Sequence, residues 1–287
     1  ADLCLWALGL AIVAVWWPKR VGLCPAWAMA AGVSMLAGLW GGVINGWAMA
    51  AVALFMAVGC RGRSPASSTL PAWRAAILGL MALALALHAF PGFHRVPIFD
   101  AIRLSPDAPA FALFASVDKA LAGLGLLVGV CLRCSRWSEA WTMLKQSWAI
   151  LLMTVISVLG LGWASHAVAW DPKWPVQAPA FLAVNLLFTC VAEEAFFRGF
   201  LQARLAQMLT HPLRGSAVGG YLAALISAAL FGAVHLGGGW AFALLAGLAG
   251  MGYGLAYART HKIEAAILTH IAVNATHFLL FTYPARA

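Results

Sequence analysis

The stretch FLAVNLLFTCVAEEAFFRGFL, residues 181–201, decides the fold. It opens on an apolar run ending at Ala192, sets two glutamates side by side at Glu193 and Glu194, and resumes as AFFRGFL around Arg198. A segment of this character and about 20 residues long matches the hydrocarbon thickness a spanning helix must cover. An ionisable side chain at membrane depth costs roughly 3 kcal/mol or more, so it persists there for a function or for a partner. The stretch therefore reads both as a membrane helix and as the first candidate site.

The rest of the chain repeats the apolar half of that pattern. Of 287 residues, 63% are apolar and 9% charged; a soluble domain carries about 25% charge, which excludes a water-soluble globule. A mean hydropathy of +0.89 excludes intrinsic disorder, which needs low hydrophobicity. Apolar runs lie at 3–17, 25–41, 44–60, 73–90, 110–132, 148–169, 179–208, 218–236, 239–258 and 264–282, separated by charged or Pro/Gly-rich breaks. They predict an all-α, polytopic transmembrane helical bundle of about ten spanning helices.

Orientation follows from the loops. Lys19 and Arg20 come after the first run instead of before it, the wrong polarity for a cleavable leader, so that run reads as a span. Basic groups recur in alternate loops, at Arg61, Arg63 and Arg74, at Arg133, Arg136 and Lys145, at Arg204 and Arg214, and at Arg259 and Lys262. Between them lie an uncharged turn near Asn45, the mixed loop of Arg95, Asp100, Arg103 and Asp107, the Asp171–Lys173 loop and the glycines at 237–239. The positive-inside rule then gives ten crossings with both termini outside. These loops account for the net charge of +9, so no nucleic-acid partner is expected. Trp16, Trp17, Trp40, Trp47, Trp73, Trp137, Trp170, Trp174 and Trp240 sit near run ends, as an interfacial aromatic belt would.

Other features read as packing. The six cysteines mostly lie in or beside apolar runs, where a thiol acts as a small hydrophobe. Cys131 and Cys134 form C-x-x-C, but no second pair completes a four-ligand zinc site. Gly38/Gly42, Gly125/Gly129 and Gly250/Gly254 have the spacing that lets helix backbones approach. The loops of any length are 61–72, 91–109 and 133–147, so any chemistry is expected from the spans. Residues 1–147 form N-terminal transmembrane helices without an assignable motif, and 148–287 hold the polar residues that matter.

Seven of the nine acidic residues, Asp2, Asp100, Asp107, Asp118, Glu139, Asp171 and Glu264, lie in loops, near run ends or beside a lysine. Glu193 and Glu194 do not. Neighbouring helical residues point about 100° apart, so the two serve different roles. Glu194 and Arg198 are four apart with the acid on the N-terminal side, the favourable order for a helical ion pair. Glu193 is thereby left without a cation, which suits a group that passes protons near neutrality; the structural alternative is an ion-pair lock between helices. His235, four after Phe231, and His270, four before Asn274, lie deep in later runs and share faces with those partners. His277 is a subsidiary candidate on the face of His270, while His88, His94, His166, His211 and His261 fall near ends or loops.

These residues resemble a known family. EEAFFRG at 193–199, FGAVH at 231–235 and HIAVN at 270–274 look like the ordered E-E-x-x-x-R, F-x-x-x-H and H-x-x-x-N motifs of the CAAX-protease and bacteriocin-processing family of glutamate-dependent intramembrane proteases, the group of the Ras-converting prenyl-protein endopeptidase. The resemblance spans 181–278 and implies that Glu193, helped by His235, activates water. It implies that His270 and Asn274 stabilise the oxyanion and that Glu194 and Arg198 hold the helix geometry. The implied partner is a protein whose C-terminal segment is membrane-embedded or lipidated, with a bacterial C-terminal sorting anchor favoured over a prenylated CaaX end, and the implied cofactor is none. Composition points to a bacterial cytoplasmic membrane. Two alternatives stand beside this: zinc held by the two histidines and carboxylates, against which H-E-x-x-H is absent, and a proton-coupled transporter, for which no inverted repeat is found. The site is expected between the bilayer midplane and its outer face, with the glycines at 237–239 as a possible break in the helix.

Overall fold

The structure is a computed structural model that describes residues 1–17, 20–21, 24–60, 70–210 and 217–285. Lys19, Arg61, Arg63 and Arg214, used above for orientation, and His211, read above as near a run end or loop, lie outside the described residues.

Each apolar run contains a helix. They are α1 (Asp2–Ala14), α2 (Ala26–Trp40), α3 (Gly46–Cys60), α4 (Ala72–Ala86), α5 (Val117–Gly129), α6 (Trp137–Ala164), α7 (Ala178–Leu209), α8 (Ala217–Val234), α9 (Trp240–Thr260) and α10 (Ile263–Leu280). Ala, Leu and Met dominate them, side chains that lose little freedom in a helix, and a helix is the one open structure that satisfies every backbone group without water. Four, α6, α7, α9 and α10, are long and apolar enough to cross a membrane; α1 to α4 and α8 are shorter apolar helices. The chain is thus a mostly helical membrane protein.

The structure corrects two run boundaries. The run 110–132 is not one helix: Phe111–Ala115 is a strand paired with the strand Val96–Ile102, and α5 begins only at Val117. The loop 133–147 is largely helical, because α6 starts at Trp137. A second small sheet pairs Arg20 with Pro25 and Val21 with Cys24.

The contacts group into two compact units. One comprises Ala1–Pro97, Phe114–Cys131 and Leu187–Phe196, the other Ile98–Leu113, Leu132–Leu186 and Phe197–Ala287.

In the first unit α1 packs on α2, and α5 receives α1, α3, α4 and the part of α7 around Glu193. Leu8, Ile12, Phe55, Leu78, Leu85, Leu121 and Leu124 are fully buried there. Asn45 starts α3: its Oδ1 accepts from the backbone N–H groups of Trp47 (3.0 Å) and Ala48 (3.1 Å), the capping use of an Asn side chain. The small residues of Gly125/Gly129 serve close packing, since a Cβ would lie 2.4 Å from Phe55 at the first and 3.2 Å from the Gly59 carbonyl at the second.

In the second unit α9 packs on α6, α8 and α10, and α6 also meets α10. Phe181 of α7 stacks on Phe278 of α10 with centroids 3.8 Å apart, and Phe99, Phe111 and Tyr283 close over them. The turn between α8 and α9 is a short 3₁₀ segment, Leu236–Gly238, followed by Gly239 at φ +95, a conformation that glycine adopts without a steric penalty. Leu and Trp side chains stand exposed along the helices, among them Trp6, Trp40, Trp47, Trp137 and Trp240, as lipid-facing surfaces require.

Candidate active site

Helix α7 is not regular. Asn185–Cys190 and Ala195–Gln202 are wide π turns, and only Val191–Glu194 between them is α-helical. Such turns concentrate at functional sites. The spacing on which the Glu194–Arg198 pair was argued is therefore not the regular α-helical one.

The second unit holds a tight polar and aromatic group. Arg198 is fully buried. Its Nη2 donates to the Gly250 carbonyl at 2.9 Å, and its guanidinium lies 4.7 Å from the Phe231 ring and 5.2 Å from that of Tyr253, the range of a cation–π contact. One turn on, Gln202 Nε2 donates to the Gly254 carbonyl, also at 2.9 Å. The glycine pair Gly250/Gly254 thus makes room for side chains from α7: a Cβ would stand 3.0 Å from Arg198 Nη2 at the first and 3.0 Å from Gln202 Oε1 at the second.

Both candidate histidines join this group through Phe231. His235 lies just past the end of α8 with its ring 4.6 Å from Phe231, and His270 meets the same ring edge-on at 5.8 Å. His270 is buried and stacks on Tyr253 at 4.5 Å and 15°, which fixes its plane. His235 Nδ1 sits 2.7 Å from the Phe231 carbonyl. A carbonyl only accepts, so Nδ1 carries the proton, and in the neutral ring Nε2 is then the acceptor. Asn274 Nδ2 donates to Asn185 Oδ1 at 3.0 Å. His277 is placed elsewhere, with Tyr283 and the Thr282 carbonyl.

The first unit holds the two glutamates. Glu194 is fully buried. Glu193 does have a cation, contrary to the sequence expectation: Lys119 Nζ lies 2.6 Å from its Oε1. Asp118 and His88 lie at helix ends as expected, and they meet there: Asp118 is buried and its Oδ2 lies 2.6 Å from His88 Nδ1. Outside the spans, burial and the Glu264 carboxylate push the Cys134 thiol up to about 11, which keeps it a neutral thiol at ordinary pH.

Sequence reasoning passed over Lys119, Asn185, Gln202 and Tyr253. Asn185 had a signal, as the one amide in FLAVNLLFTCVA. Gln202 had another, one turn beyond Arg198. Lys119 and Tyr253 had none short of the fold.

Arg198, His235, His270 and Asn274 thus all fall in the second unit, three of them gathered around the Phe231 ring. Residues 175–276, which contain Glu193, Glu194, Arg198, His235, His270 and Asn274, match the family model described as Type II CAAX prenyl endopeptidase Rce1-like. This part of the chain is an Rce1-like domain, and the family it matches is one of peptide hydrolases. No curated protein and no solved structure matches the chain.

Proposed function

We propose that this protein is an intramembrane endopeptidase that hydrolyses a peptide bond near the membrane-embedded or lipidated C-terminal segment of a protein, with a bacterial sorting anchor as the favoured class. Glu193, helped by His235, takes a proton from water as the water oxygen bonds to the scissile carbonyl carbon. His270 and Asn274 donate to the resulting oxyanion, Glu194 and Arg198 hold the helix, and collapse breaks the C–N bond as the proton passes to the leaving amine. General acid–base help of this kind contributes about 10²–10⁴ in rate, and one oxyanion donor about 10²–10³. No metal takes part. Ten membrane crossings, a protease core in 148–287 and a place in a bacterial cytoplasmic membrane belong to the same proposal.

The observation that carries it furthest is the Nδ1 contact of His235 with the Phe231 carbonyl, because that tautomer leaves Nε2 to accept. The Asn274 side chain, which donates to Asn185 Oδ1, is an amide and so a hydrogen-bond donor of the kind an oxyanion requires.

Membrane proteins of cells with and without the chain, compared by mass spectrometry, name the product. Glu193→Ala is expected to accumulate in the membrane and to lose that product by at least about a hundredfold; full cleavage by the variant removes the proposed base. Strong chelation is expected to leave wild-type cleavage intact. Loss on chelation with rescue by zinc would reverse the metal-free assignment.

A further inference from the structure

Lys119 belongs to the part of the chain without motifs and outside the matched family segment, yet it reaches the proposed base. Its Nζ lies 2.6 Å from Glu193 Oε1, and the two side chains are 23% and 15% exposed. Two further features aim at the same spot. Asp118 pins the start of α5, for its Oδ1 accepts from the Lys119 backbone N–H at 2.8 Å while its Oδ2 is engaged by His88. Gly123, four residues after Lys119 and so on the same helix face, abuts the backbone beside Glu193: a Cβ there would stand 2.6 Å from Ala192 Cα. Any larger residue would push α5 away from α7 and take the ammonium with it.

We infer that Lys119 is the positioning residue of Glu193, an ammonium carried by α5 that fixes the carboxylate's orientation and supplies the counter-charge a proton acceptor needs in apolar surroundings. This rests on Glu193 being the water-activating base. A structural pair would hold helices together and nothing more, whereas a positioning cation changes how the carboxylate behaves chemically.

The test uses the full chain in native membranes. Dicyclohexylcarbodiimide adds to protonated carboxyl groups in apolar surroundings and leaves an N-acylurea on the side chain, which peptide mass spectrometry locates. Lys119→Met is expected to raise labelling of Glu193 at least about tenfold over wild type and to slow product appearance by about a hundredfold. Lys119→Arg, which keeps the charge, is expected to restore both; Lys119→Gln serves in place of Met should Lys119→Met not accumulate. Labelling equal to wild type, or an unchanged rate, in the neutral variant overturns the inference. Failure of the underlying assignment looks different, since Glu193→Gln would then cleave at the wild-type rate whatever stands at 119.

Discussion

Tyr253 touches both halves of the polar group in the second unit, with His270 stacked on its ring and the Arg198 guanidinium near it. An aromatic pair of this kind is worth about 0.5–1.5 kcal/mol beyond burial. Tyr253→Leu is therefore expected to slow product appearance by up to about tenfold, and Tyr253→Phe, which keeps the ring, to stay within about twofold of wild type. Equal rates for Leu and Phe would mean that the stack does not orient the imidazole. At this scale the sequence is legible where a polar group breaks an apolar run: Glu193, Glu194, Arg198, His235, His270 and Asn274 all stand out so. It is opaque where the polar group sits at a helix start. Asp118 and Lys119, adjacent and near the beginning of α5, look like any solvated helix end, and only the fold shows one turned to His88 and the other to Glu193.

Helix α9 meets α7 across Gly250 and Gly254, whose carbonyls accept from Arg198 and Gln202. A side chain at 250 would press on Arg198 Nη2 and on Phe231, 3.0 and 3.1 Å from its Cβ. Gly250→Val is expected to cost about 1–3 kcal/mol, the usual scale of overpacking, read as a lower thermal midpoint in detergent. Gly32→Ala in α2, where nothing lies within 4 Å of the new Cβ, is expected to be neutral or to stabilise by up to about 1 kcal/mol; equal losses at both positions would refute the packing account. The helices themselves were legible because apolar length alone marks them. The strand Phe111–Ala115 was not, since a short apolar run suits strand and helix alike. The first turns of α6 were hidden for the opposite reason: Trp137, Trp141, Leu144 and Trp148 repeat with helical spacing but stand exposed among polar neighbours.

At the scale of the whole molecule, polar ties outside the spans join distant parts of the second unit. Asp171 N–H donates to the Leu280 carbonyl, and its carboxylate meets Lys173 Nζ at 3.0 Å. The Ser105 hydroxyl first, then Lys173, holds this carboxyl below its ordinary value of 3.8. A group depressed in the folded state stabilises above its unfolded pKa and loses that contribution as pH falls through its folded value. Thermal midpoints are thus expected to drop on acidification below about pH 4, and Asp171→Asn to flatten that part of the profile; an identical slope in the variant would assign the acid sensitivity elsewhere. Class and membrane residence were legible here from composition. The grouping of the chain was not, because α7 gives Leu187–Phe196 to one unit and its flanks to the other, a split along a continuous helix that no break in the sequence announces.

The wide turns of α7 carry a consequence for how the motif tolerates length change. A π turn holds roughly one residue more than the α turn it replaces. Deleting a single residue within 185–190 would let that stretch rewind as an α turn and leave Glu193 on the azimuth where Lys119 meets it, whereas a deletion in a stretch without that surplus would swing everything beyond it by about 100°. The wide turns are thus slack in the helix, places where one residue can be lost while the flanking faces stay in register.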